Sequence, residues 1–149
     1  MINTWLYNDK PIDSLEDFPE GAIGFIYKIT NTTNDNYYIG RKTARSLIKK
    51  KLTLKEKKLE DNKGKRFTKV WKESNWKKYW GSSKPLLEAI DNGDHCTRII
   101  IKFCFSKAEI TYYEAKTIIC SDALLDENCY NGWISAKVYG AHLKQTLKK

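Results

Sequence analysis

The stretch GFIYKITNTTNDNYYIGRKT, residues 24–43, decides the fold. Ile23, Phe25, Tyr27 and Ile29 fall on alternate positions, which predicts one buried face of a strand over Ala22 to Thr30. The run NTTNDN consists of turn formers, whose short polar side chains bond their own backbone. Tyr37 to Gly40 reads as a short second strand, so the whole predicts an antiparallel hairpin. Tyr27 then faces inward, where a phenol hydroxyl needs a partner. A core tyrosine with a satisfied hydroxyl is one explanation. Two tyrosines on paired strands, followed at once by GRKTAR, are the other: phenols beside cations make a place that can hold a phosphate.

Outward from the hairpin, residues 1–21 read as an irregular arm ending in FPEG. After it, Thr43 is a candidate cap for a helix starting at Ala44, and Thr53 with Glu56 forms a capping box for another, which EDNKGK breaks. Phe67 to Trp80 is aromatic and basic; Trp71, Trp76 and Trp80 stand at the helical spacing of core anchors, at least one of them is expected to be buried, and Lys77 and Lys78 are expected on the outer side. Ser83 and Pro85 open a helix that Gly93 stops. TRIIIKFCF is almost continuously apolar and is expected to be the most buried strand. Ser106 and Glu109 form a capping box for the helix KAEITYYEAKTIICSD. A loop, LLDENCYNGWI, and a short basic tail helix follow. This order fits an α+β fold: a small three-stranded antiparallel sheet flanked by helices.

The chain has 149 residues, enough for one domain with a hydrophobic core, and 41% of them are apolar. No apolar run reaches the ~20 residues of a membrane span, and no secretion signal opens the chain, so a soluble intracellular protein is expected. The net charge is +9, and its placement is informative. Arg41 to Tyr79 carries 16 Lys and Arg against 4 Asp and Glu, while the remainder is slightly acidic. One basic region on a nearly neutral body points to a polyanion partner; a solvated lysine-rich loop is the plainer alternative. Lys49, Lys50, Lys65, Arg66, Lys77 and Lys78, with Tyr79, Ser82 and Ser83 beside them, are the candidate nucleic-acid contacts. The aromatics interleaved among these lysines can stack on bases. Cys96, Cys104, Cys120 and Cys129 lack C-x-x-C spacing and read as small reduced hydrophobes rather than zinc ligands.

Glu114 stands out. In a helix starting near Lys107 it shares a face with Ile110, Thr117 and Ile118, and that face has to meet the sheet. A carboxylate turned inward costs several kcal/mol unless a cation meets it. A structural ion pair or a rotated helix is the alternative to a metal or catalytic site.

Ile26-Tyr27 and Tyr38-Ile39-Gly40 resemble the paired signature of the GIY-YIG nucleases, with Gly-Phe-Ile-Tyr in the first block where the name spells Gly-Ile-Tyr. The order YIGRKT, KESNWKKYWGSS, SKAEITYYEAKTI, YNGWI resembles the phage-associated, Seg-like homing endonucleases over roughly residues 22–134. The resemblance implies one GIY-YIG domain over residues 1–149, with a core at about 22–134 and a basic helical insertion at about 41–66. It implies an endonuclease that hydrolyses DNA phosphodiesters with one divalent metal, Mg2+ or Mn2+, on Glu114, with Asn131 supporting the site and no small-molecule cofactor. Tyr27 and Tyr38 would line the scissile phosphate. One of them would help deprotonate the attacking water, its pKa lowered by nearby cations. The family's arginine falls on Ile48 here, so Arg45 is the nearest candidate on the expected helix, with Arg41 and Lys42 as supporting contacts, Arg66 as a further candidate that could fold back, and Tyr79 or Tyr37 in the place where some members carry a histidine. The partner implied is DNA, in the cytoplasm of a bacterial host, met as a monomer or a DNA-induced dimer. About fifteen residues follow Ile134, so the basic insertion or a partner would supply any sequence specificity. A catalytically inactive nucleic-acid-binding protein of the same fold is the alternative.

Overall fold

The structure, a computed structural model, describes residues 3–59 and 62–148. The sequence begins with two very short strands, β1 (Trp5–Tyr7) and β2 (Lys10–Ile12). They are joined at Asn8 and Asp9, both at positive φ, as a tight hairpin turn requires. The expected hairpin follows as β3 (Gly24–Asn31) and β4 (Tyr37–Thr43). Beyond it lie β5 (Arg45–Lys51), the single-turn helix α1 (Leu54–Lys57) and β6 (Phe67–Glu73). Helix α2 (Lys84–Asp91), strand β7 (Cys96–Cys104), helix α3 (Lys107–Cys120) and helix α4 (Gly140–Leu147) complete the chain.

Five strands form one mixed sheet in the order β2-β1-β7-β3-β4. The expected antiparallel trio is its β7-β3-β4 part. The sheet is wider than three strands because the N-terminal segment is a hairpin rather than an irregular arm, and β1 adds parallel to β7. The second correction concerns the basic insertion. It is not helical from Ala44: β5 and β6 pair over seven residues as a separate two-stranded ribbon. Of the helices expected there only α1 exists, opened by the Thr53–Glu56 capping box. The Glu60–Asp61 part of the expected break lies outside the described residues.

Both faces of the sheet are covered. One carries an aromatic core of Trp5, Phe18, Phe25, Tyr27, Trp76 and Phe103, with Leu86 of α2. Its rings meet edge to face, as in Trp5–Phe25 at 4.9 Å and Phe18–Trp76 at 5.0 Å. Each such pair adds about 0.5–1.5 kcal/mol beyond the burial itself. The other face packs Ile26, Ile39 and Cys104 against Ile110 and Ile118 of α3, and Ile23 joins this side. The first turn of α3 is held by Ser106, whose Oγ accepts from Glu109 N at 3.1 Å, while Glu109 reaches back to Phe105 N at 2.9 Å.

The most buried strand is β3, not β7. The pairing of β3 with β7 slips between Ile26 and Tyr27, so that Ile101 is an extra, bulged residue and stands 40% exposed. Of the three tryptophans read as anchors, Trp76 is fully buried in a 3-10 turn and Trp71, on the ribbon, is exposed. Cys96 and Cys104 are buried as expected, whereas Cys120 is exposed.

Candidate active site

The register of β3 and β4 sets Tyr27 opposite Gly40 and Ile29 opposite Tyr38. Tyr27 and Tyr38 therefore share a face, with ring centroids 6.2 Å apart. Tyr79, carried in by the Trp76–Lys78 turn, closes the group at 6.0 Å from Tyr27. Two glycines make room: a Cβ on Gly40 would fall on the Tyr27 hydroxyl, and one on Gly81, at φ +88°, would come within 3.4 Å of it. Burial pushes the Tyr27 phenol far above its ordinary range, and the neighbouring Tyr79 and Tyr38 add to the shift. Tyr38 is also raised, mainly by burial, although its hydroxyl lies 3.1 Å from Ser82 Oγ. Burial thus works against the expected lowering by nearby cations, and Tyr27 holds its proton more tightly than a free phenol.

Glu114 projects from α3 toward the same edge strand. Its side chain is 19% exposed, and Arg41 Nε lies 3.9 Å from its Oε1. Arg41 is itself anchored, donating from Nη1 to Thr111 Oγ1 at 3.0 Å, one helical turn before Glu114. Burial holds the Glu114 carboxyl above the usual carboxylate range, and Arg41 only partly offsets this. Alternation along β4 places Arg41 and Tyr38 on opposite faces of the strand. They meet because β4 is the edge of the sheet and the cleft wraps around that edge.

Asn131 explains why this edge is orderly. Its Oδ1 accepts from Ile39 N at 2.9 Å and its Nδ2 donates to Ile39 O at 2.8 Å, so one side chain imitates a pairing strand. Tyr37 is bonded likewise by the backbone of Asn128 and Tyr130. The same alternation turns the N–H and C=O of Arg41 toward this edge.

The cleft has a volume of about 600 Å³. Tyr38, Arg41, Tyr79, Ser82, Ser83 and Glu114, all singled out in the sequence, line it together. Lys42 adjoins them, with Nζ donating to Asn75 Oδ1 at 2.8 Å above the Tyr79 ring, and burial lowers its pKa. Arg45 is not part of the lining. It starts β5 rather than a helix, donates to Ala22 O at 3.0 Å and lies over Trp71 at the root of the ribbon. Lys49 and Lys50 lie along the ribbon, and Arg66 accepts Leu52 N at its far end, with Lys65 beside it. Lys77 and Lys78 are exposed on the 3-10 turn, and Lys77 pairs with Glu73 at 3.8 Å.

Sequence reasoning missed several contributors. Thr111 carried a signal, since it stands three residues before Glu114 on the same helix. Trp133 also lines the cleft, although 74% exposed, and the YNGWI motif had pointed to its neighbourhood. Arg98 carried none. It is buried on β7 between the Trp5 and Trp80 rings, and its Nη1 donates to the carbonyls of Lys77 and Tyr79 at 3.0 and 2.8 Å. Only the fold reveals that it tethers the turn carrying Tyr79.

A half-buried carboxylate, an anchored arginine and three clustered tyrosines thus gather at the edge of this sheet. A family model described as "Putative endonuclease segE, GIY-YIG domain" matches residues 5–134, and the chain belongs to this family. Its extent agrees with the sheet, which begins at Trp5. No curated protein and no solved structure matches the chain. No described helix is long and apolar enough to cross a membrane.

Proposed function

We propose that the protein is a metal-dependent DNA endonuclease that hydrolyses phosphodiester bonds, of the homing or mobile-element type. The observation that carries this reading is Glu114, a carboxylate held raised by burial inside a cleft whose other groups suit a phosphate. Membership of an endonuclease-domain family supports it.

The residues fit a hard divalent cation. Magnesium keeps several waters and is commonly held by one or two carboxylates together with substrate phosphates, rather than by a protein cage. Among the described residues no cluster of three His, Cys, Asp or Glu gathers, but Glu114 presents one largely buried carboxylate to the cleft. Mg2+ or Mn2+ held there would polarise the scissile phosphate and stabilise the leaving 3′ oxygen.

The chain's own groups do the rest. Arg41, fixed by Thr111, holds the non-bridging oxygens as charge develops. The Tyr38 and Ser82 hydroxyls position the phosphate from the opposite face. Tyr27 is too buried and too weakly acidic to serve as a base; it supports the Tyr38–Tyr79 wall and keeps its proton.

The test is relaxation of supercoiled plasmid with and without magnesium. Magnesium-dependent nicking that Glu114→Ala abolishes supports the reading. Wild-type protein that leaves the plasmid supercoiled while binding it identifies a catalytically inactive nucleic-acid-binding protein instead.

A further inference from the structure

The β5–β6 ribbon has no evident role in the body of the protein. Twelve Lys and Arg against four Asp and Glu fall between Arg45 and Glu73. Five lysines stand on the two strands, and among the described residues none of them forms a salt bridge. Lys49 lies directly opposite Lys69, a like-charge pair that weakens a ribbon standing alone. Apolar side chains are also left open on both faces: Leu47 and Trp71 on one, Ile48 on the other. A free two-stranded ribbon is marginal in water. This ribbon is exposed, self-repelling and partly apolar, so it is built to be covered by something negative.

Its root, by contrast, is firm. Ala44 N and Arg45 N both donate to Ile23 O, at 2.8 and 3.1 Å, and Ser74 bonds Ala44 O and Thr43 O at 2.8 and 2.7 Å. The ribbon therefore leaves the sheet in a fixed direction, one residue beyond the end of β4, which carries Tyr38 and Arg41.

We propose that the β5–β6 ribbon is a groove-binding arm that enters the major groove of duplex DNA beside the cut site. The major groove is about 12 Å wide and admits a two-stranded ribbon. Seven residues of β5 extend about 23 Å, so the arm reaches about seven base pairs along the duplex. Lys49, Lys69 and Lys72 meet phosphates of the groove walls, and the open apolar side chains meet base edges, thymine methyls among them. Because β5 continues from β4, the arm fixes which phosphate arrives at Arg41 and Glu114. The inference rests on the DNA-cleavage reading, and its test scores binding separately from cutting.

The experiment uses the full chain carrying Glu114→Gln, so that duplex DNA is bound without being cut, with and without Lys49→Gln, Lys69→Gln and Lys72→Gln together. Three phosphate contacts lower the slope of log affinity against log salt by about 3. Between roughly 50 and 200 mM salt, the protein with its lysines should lose about 40-fold more affinity than the triple variant. Methylation of guanine N7, in the major groove, should block binding within about one helical turn on one side of the cut. An unchanged affinity and slope overturns the proposal, as does interference confined to adenine N3 in the minor groove. A triple variant that changes oligomeric state in sedimentation but keeps its duplex affinity overturns it too, and makes the ribbon an interface between copies. Plasmid left uncut by wild-type protein with magnesium refutes the nuclease reading alone.

Discussion

The Tyr27 hydroxyl lies over the bare Cα of Gly40, its direct partner across the β3–β4 pair. No larger residue fits there, since a Cβ would also press on Tyr38. Gly40→Ala should therefore destabilise the fold by about 1–3 kcal/mol, the usual cost of overpacking. Cleavage should fall further than stability explains, because both tyrosines move. Urea unfolding and plasmid nicking on the same preparation check this.

Glu114 links activity to stability through pH. Its folded pKa is raised, so the fold binds a proton there more tightly than the unfolded chain does. Its contribution to stability is full below the ordinary carboxylate pKa and is lost as pH rises through the folded value. At neutral pH the ionised group therefore costs stability. Glu114→Gln should melt above wild type at pH 7, with the gap closing on acidification through the carboxylate range, while nicking is lost. Magnesium should raise the Tm of wild type and not of the variant.

Asn131→Ala removes both bonds to Ile39 and frees the edge of β4. Two hydrogen bonds at about 0.5–1.5 kcal/mol each predict a loss of about 1–3 kcal/mol. Hydrogen exchange should show the Ile39 amide losing protection first. Continued protection there would contradict this account of the edge.

Arg98→Lys tests the tether on Tyr79. Lysine keeps the charge, but it lacks the planar head that lies between the Trp5 and Trp80 rings and reaches two carbonyls. The expected outcome is a lower kcat with little change in KM, since Tyr79 loses its position and the ribbon is untouched. A variant with wild-type kcat would show that the turn holds without the tether.

Much of this site was legible because its parts have local causes. Alternation fixed the inward face of Tyr27, and the Ser106 cap set the phase of α3 that turns Glu114 inward. The ribbon was misread because Lys, Leu and Glu are good helix formers and Thr53 caps a true helix nearby. What settles it as sheet is pairing, Leu47 against Trp71 and Ile48 against Val70, which spacing along the chain does not reveal. The N-terminal hairpin left a faint trace in Asn8-Asp9, a turn dipeptide between strands too short to show a period. Arg98 left none, because a buried arginine is recognised by the rings and carbonyls around it.

The position of β7 between β1 and β3 has a consequence for synthesis. A chain still on the ribosome has made the segments of two hairpins and of the ribbon, but the strand that joins the hairpins into one sheet is not yet made. Tyr38 and Arg41 emerge about seventy residues before Glu114, and the loop that pins Ile39 comes later still. The Arg41–Glu114 pair and the Asn131 clamp on Ile39 can therefore form only when nearly the whole matched region has been made. The strand order makes assembly of the site a late event in synthesis.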